Sequence, residues 1–231
     1  MTEEGIQSST ENQSGETQKV QHVFYEVGGE LLDKANLLCD LLEIEAAATA
    51  VVFCKSLSDS DLVEVVLNKR AIPVHKLSDD FHSSSRVQRL KQIQASGASV
   101  LVATDECLDD INLGDFALII NYSIPEEPEV YLHRTTLEEP SENLKKVISL
   151  VSPIDSGNFG FIQKVLQIEF TQGEAPPKSS IYASKVGRIA EKAVIKNLLN
   201  DEGIKAATNA ILEHPEKGQI VAFLLHNTLV E

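Results

Sequence analysis

A Gly-Lys pair occurs nowhere in the 231 residues, so the sequence lacks the glycine-rich turn followed by Lys and Ser or Thr that cradles nucleotide phosphates. It also lacks an Asp-Glu-Ala-Asp box. Basic residues are scarce: 20 Lys and Arg stand against 35 Asp and Glu, a formal net charge of −15. Phosphate neutralisation by cations supplies most of the non-specific affinity for nucleic acid, so this balance disfavours RNA as a main partner. The three cysteines, Cys39, Cys54 and Cys107, are an odd number without CxxC spacing, which points away from a disulfide framework or a zinc site. Each reads as a buried or half-buried free thiol. No apolar run approaches the roughly 20 residues of a membrane span. The N-terminal MTEEGIQSSTENQSGETQK is polar and acidic, unlike a signal peptide, so a cytoplasmic protein is expected. Asp105, Glu106, Asp109 and Asp110 lack EF-hand spacing and read as a solvated acidic loop. His75, His82, His214 and His226 have no ligand spacing, and Gly-x-Ser-x-Gly is missing. No metal and no cofactor are expected.

What is present is an apolar share of 42%, enough for a sizeable core. Residues 1–19 hold Ile6 as their only large aliphatic before Val20 and read as a disordered acidic tail carrying −3. From Val20, strand and helix signals alternate, which argues for a parallel sheet covered by helices, an α/β fold. Strands are expected over His22–Val27, Thr49–Cys54, Ala71–Leu77, Val100–Thr104, Ala117–Asn121 and, as the last, Val147–Val151. Helices are expected over Glu30–Leu42, with Leu31, Leu32, Ala35, Leu38 and Cys39 inward, over about Ser83–Ala95, and over Asp155–Leu166. Another should start at an N-cap Ser58 and bury Leu62, Val65, Val66 and Leu67. Residues 20–172 carry 24 acids and 12 bases, a net −12. Pro176-Pro177 marks a boundary, and residues 173–231, with seven acids and seven bases, form a helical extension. Its expected helices span Ser179–Asn200, a segment capped by Asp201, and a segment opened by Pro215, with apolar stripes that pack on one another and on the lobe or meet a partner.

The most telling stretch is Val100 to Pro140, VLVATDECLDDINLGDFALIINYSIPEEPEVYLHRTTLEEP. Its Ala103-Thr104-Asp105, Asn121-Tyr122, Pro125 and Tyr131-Leu132-His133-Arg134 resemble the end of the second RecA-like domain of DEAD-box RNA helicases, and the likeness extends from about Val20 to Glu169. The resemblance implies a RecA-like helicase C-terminal lobe on a parallel sheet. The segment after Pro177 resembles the helical extension of bacterial DEAD-box proteins of the cold-shock type, where it supports dimerisation.

The resemblance also implies which residues would face nucleotide: Asp109, Asn112, His133, Arg134, Leu137 and Pro140. There the family has Arg-Gly-x-Asp, then His-Arg-x-Gly-Arg-x-x-Arg; here Asp109, Asp110 and Asn112 replace the first set, and Thr136, Leu137 and Pro140 replace the later Gly and two arginines. Phosphoryl transfer needs fixed cations, with an arginine finger worth about 10³ to 10⁵ in rate, so the nucleotide face reads as degenerate, with no catalytic residue expected. RNA contacts implied by the family fall on Lys55, Arg86, Thr104 and Asp105, although Ser78-Asp79-Asp80 stands for His-Gly-Asp and Ser83 for Gln. Thr104 and Asp105 also fit a structural role, ending a strand and capping the following turn. Arg134 fits an internal ion pair, with Asp109 and Asp110 expected nearby. The leading expectation is a catalytically silent helicase-like lobe acting through a protein partner or a homodimer. Weak RNA binding, helped by Lys145-Lys146, and an ATPase completed in trans by a separate lobe are the alternatives.

Overall fold

The computed structural model describes residues 20–46, 49–77, 100–137, 141–196 and 198–229. Seven parallel strands form one sheet: β1 Gln21–Glu26, β2 Ala50–Cys54, β3 Val74–Leu77, β4 Val100–Thr104, β5 Leu118–Asn121, β6 Lys146–Val151 and β7 Phe170–Gln172. Their spatial order is β3-β4-β2-β5-β6-β1-β7. The central β2, β4 and β5 are buried at every position, which is why their sequences are continuous apolar runs rather than alternating ones. Register is level across the centre, with Val52 opposite Val102 on one side and Ile120 on the other. One face packs around Val52, Val102, Ile120 and Ile148, the other around Val51, Phe53, Leu101 and Ile119.

The connecting helices are α1 Asp33–Glu45, α2 Leu57–Lys69, α3 Pro128–Thr135 and α4 Ser156–Leu166. Four details depart from the sequence reading. β6 is not the last strand, because β7 pairs with the outer side of β1. α1 starts at Asp33 and buries Ala35, Leu38, Cys39 and Leu41, leaving Leu31 and Leu32 outside it and exposed. The cap of α2 is Ser56, whose Oγ accepts the Asp59 N–H at 3.1 Å; the helix buries Ser60, Val63 and Leu67 while Val65 points to solvent. Val63 and Leu67, four residues apart, share the inward face, and Val65, two residues from each, falls on the opposite side. β3 is confined to Val74–Leu77 because Ala71 takes a positive φ of 53° in the turn before it. The helix expected over Ser83–Ala95 lies outside the described residues.

The helical extension comprises α5 Lys178–Lys196, α6 Glu202–Glu213 and α7 Lys217–Leu229. Asp201 caps α6 as expected, accepting the Ile204 N–H at 3.0 Å. α5 lies against α1, where the Ser184 hydroxyl donates to the Glu43 carbonyl at 2.8 Å and Arg188 pairs with the buried Glu43 carboxylate. Of the apolar residues described in this extension, Ile181 and Leu229 are buried, while Val186, Ile189, Val194, Ile204 and Phe223 stay largely exposed. Packing among the described residues therefore leaves much of the stripes uncovered. No described helix is long and apolar enough to cross a membrane.

Candidate functional site

The carboxyl ends of β4 and β5 and the last turn of α3 converge on Arg134. Chain geometry forces this: β4 gives way at Asp105 to a 3-10 turn over Asp105–Asp110, and α3 returns over it. The Arg134 guanidinium is fully buried and held through each of its three nitrogens. Its Nε donates to Asp105 Oδ1 at 2.6 Å and its Nη2 to Asp105 Oδ2 at 2.8 Å, a bidentate fork. Its Nη1 donates to Asn121 Oδ1 at 3.0 Å and to the Ser123 carbonyl at 2.8 Å. The cation lies 5.4 Å from the centre of the Phe53 ring. The partner is Asp105 and not the expected Asp109 or Asp110, because the tight turn carries Asp109 outward; there its Oδ1 sits 3.3 Å from His133 Nε2.

A cleft of about 450 Å³ opens beside this clamp, with Asp109, Asp110, Asn112, His133 and Thr136 in its wall; among the described residues, no lysine or arginine lines it. Asn112 is occupied structurally: its Oδ1 accepts the Gly114 N–H and its Nδ2 donates to Asp115 Oδ1, both at 3.1 Å. Leu137 packs half-buried against the core. Pro140 and Arg86 lie outside the described residues. Thr104 is buried, but its side chain does not cap the following turn: its Oγ1 has no hydrogen-bond partner among the described residues. Lys55, exposed, is paired with Glu126, and this contact pulls the Glu126 carboxyl below the usual range while raising the Lys55 ammonium.

Of the sequence-predicted RNA candidates, Lys55, Thr104 and Asp105 meet at the carboxyl ends of the paired strands β2 and β4, whereas Lys146 lies elsewhere. Lys146 stands level with Val100 through the shared register of β6, β5, β2 and β4, about 13 Å down the strand direction from Thr104. It is also paired, its Nζ lying 2.6 and 2.8 Å from the two Glu45 carboxylate oxygens. Sequence reasoning missed Asn121 and Ser123 as ligands of Arg134, and a polar Asn closing an otherwise apolar strand was the available signal. It also missed Glu43 and Arg188. Burial pushes the Cys39 thiol up to about 11 and raises Cys54, Tyr122 and Tyr131 further. Among the described residues, no three His, Cys, Asp or Glu side chains gather as a metal-holding group.

Residues 33–136 match the helicase conserved C-terminal domain. The chain is 29% identical over 162 residues to the ATP-dependent RNA helicase DbpA of Escherichia coli strain K12, covering 70% of this chain and 35% of that protein. It is 24% identical over 196 residues to the ATP-dependent RNA helicase CshA of Listeria monocytogenes, covering 84% and 37%. The chain thus spans about a third of the length of these curated relatives. Among solved structures, the E. coli DEAD-box protein SrmB, bound to regulator of ribonuclease activity A, superposes with a TM-score of 0.60 at 22% identity, covering 69% of this chain and 98% of that one. With the strand order, the matched segment and these relatives in agreement, the chain carries the C-terminal RecA-like domain of the DEAD-box RNA helicase family.

Proposed function

We propose that the chain acts in the cytoplasm as a helicase-like protein-interaction or regulatory module without ATPase or unwinding activity. The observation that carries this reading is the burial of Arg134, the arginine retained in the last helicase motif. Four of its five N–H donors are spent on Asp105, Asn121 and Ser123, and the side chain is fully buried, out of reach of a phosphate in the adjoining cleft. The adjoining cleft offers Asp109 and Asp110 where a triphosphate needs cations, and like charge there repels it. Neither Leu137 nor Asn112 supplies positive charge, so the described residues do not fit a nucleotide. RNA is disfavoured by the excess of 24 acids over 12 bases in residues 20–172 and by the pairing of Lys55 and Lys146. The decisive measurement is ATP turnover by the purified protein with and without single-stranded RNA. Turnover at the buffer background in both is expected, and RNA-stimulated hydrolysis would refute the proposal, as would a gain in turnover when a DEAD-box first lobe is added.

The interaction surface in this reading is the helical extension, which leaves Leu212, Val221, Phe223 and Leu224 exposed and is electrically neutral, so that two copies meet there without the repulsion of their acidic lobes. The bound protein in the SrmB structure is a precedent for a helicase C-terminal domain held by another protein. Light scattering should give a dimer mass for the full chain and a monomer mass for Phe223→Asp; a wild-type monomer would confine this surface to unlike partners.

A further inference from the structure

We infer that a second docking site, distinct from the helical extension, lies in the crevice at the carboxyl ends of β1, β2, β5 and β6, and that its occupant is a basic, aliphatic protein segment. The crevice is about 690 Å³ and takes its walls from Gly28-Gly29 after β1, Lys55 after β2, Tyr122-Ser123 after β5 and Ser152–Asp155 after β6. Carboxyl-end crevices are the usual binding sites of open parallel sheets. What differs here is the sign of the charge.

In α/β folds the helix starts at this end attract anions. Here a carboxylate of the chain already stands at each neighbouring start. Asp33, in the first turn of α1, accepts the Glu30 N–H at 3.2 Å. It lies so close to Gly28 that a Cβ there would sit 2.1 Å from its Oδ2, so the glycine is what admits it. Asp59, in the first turn of α2, accepts the Ser123 hydroxyl at 2.9 Å. Asp155, at the start of α4, accepts the Ser152 N–H at 3.1 Å and the Lys34 ammonium at 2.6 Å. A phosphate in the crevice would face the carboxylates of Asp59 and Asp155 at these helix starts.

Both lysines of the crevice are likewise committed, Lys34 to Asp155 with its ammonium 5.5 Å from the Tyr122 ring centre, and Lys55 to Glu126. Against these two cations the lining sets four carboxylates, Glu30, Asp59, Glu126 and Asp155. Glu30 is exposed and makes no ion pair with a described residue. On the rim, Leu31 is 78% and Ile154 89% exposed, aliphatic side chains that no part of the described chain covers. Negative charge over a polar floor, flanked by two bare aliphatics, complements an extended segment that alternates Lys or Arg with Leu or Val.

The test uses the full chain and two short labelled peptides of equal charge, one alternating Arg with Leu and one alternating Arg with Ser, followed by anisotropy at about 0.15 M ionic strength. The Arg-Leu peptide should bind at least about tenfold tighter than the Arg-Ser peptide. Leu31→Ser with Ile154→Ser should erase that preference while leaving the melting temperature unchanged, since both side chains are exposed. Phe223→Asp should leave it intact, which separates this site from the extension. Equal affinity of the two peptides, a preference that survives the double substitution, or displacement of the peptide by single-stranded oligouridylate would each overturn the inference.

Discussion

Replacing Arg134 tests its role through stability rather than activity. Arg134→Ala leaves the Asp105 carboxylate and the Asn121 side chain facing a vacated interior site, and unfolding in urea should register a loss of about 3 to 5 kcal/mol. Arg134→Lys keeps the charge but not the planar fork and should still be destabilising; unchanged stability in both would mean that the clamp contributes nothing. Cys39 supplies a pH test. Burial holds its thiol neutral up to about 11 against an ordinary 9.0, so above pH 9 the unfolded chain sheds a proton that the folded chain retains. Stability is therefore intact below pH 9 and lost as pH rises toward 11, by at most about 2 to 3 kcal/mol for this group. Thermal melts across that range should steepen in the wild type relative to Cys39→Ala. At this scale the sequence indicated that Arg134 would be paired and that the thiols would be buried. It could not choose Asp105 over Asp109 as partner, because that choice depends on a 3-10 turn whose geometry no local spacing reveals.

The helices show why boundaries were harder to read than elements. Ser56 and Ser58 lie on either side of the first residue of α2, and either could cap it by composition; only the chain direction leaving β2 decides that Ser56 faces the free Asp59 N–H. Ser56→Ala should cost about 1 kcal/mol, whereas Ser58→Ala should stay within about 0.5 kcal/mol, both measured by chemical denaturation. The apolar stripes of α5–α7 were legible as periodicity, but whether they would be covered was not, since that depends on where the helices dock. What docking there is depends on a buried acid. The Glu43 side chain is 4% exposed, and among the described residues it pairs with Arg188 alone and its Oε1 accepts no hydrogen bond. Arg188→Ala should cost about 1 to 3 kcal/mol and quicken amide exchange in α5, and adding Glu43→Met should recover most of the loss, because a buried ion pair is outperformed by apolar packing more readily than by half of itself. If the double variant remains as unstable as the single one, the docking does not depend on this pair.

Over the whole molecule, the parallel sheet was legible because β2, β4 and β5 are buried on both faces and so read as unbroken apolar runs. β7 escaped notice, being three residues at an edge with two of them exposed. The acidic surface of the lobe beside a neutral helical extension predicts that any self-association strengthens with added salt, as screening relaxes repulsion between lobes; sedimentation at low and high ionic strength would check this, and weakening by salt would point to ion pairs as the adhesive. The position of β1 has a further outcome during biosynthesis. This strand leaves the ribosome first of the seven, yet its hydrogen-bonded neighbours are β6 and β7, more than a hundred residues downstream. An early translation product therefore holds an aliphatic, aromatic ribbon with both edges open until nearly the whole lobe has been synthesised, and chaperone capture of stalled nascent chains should peak before β6 clears the exit tunnel and fall after it.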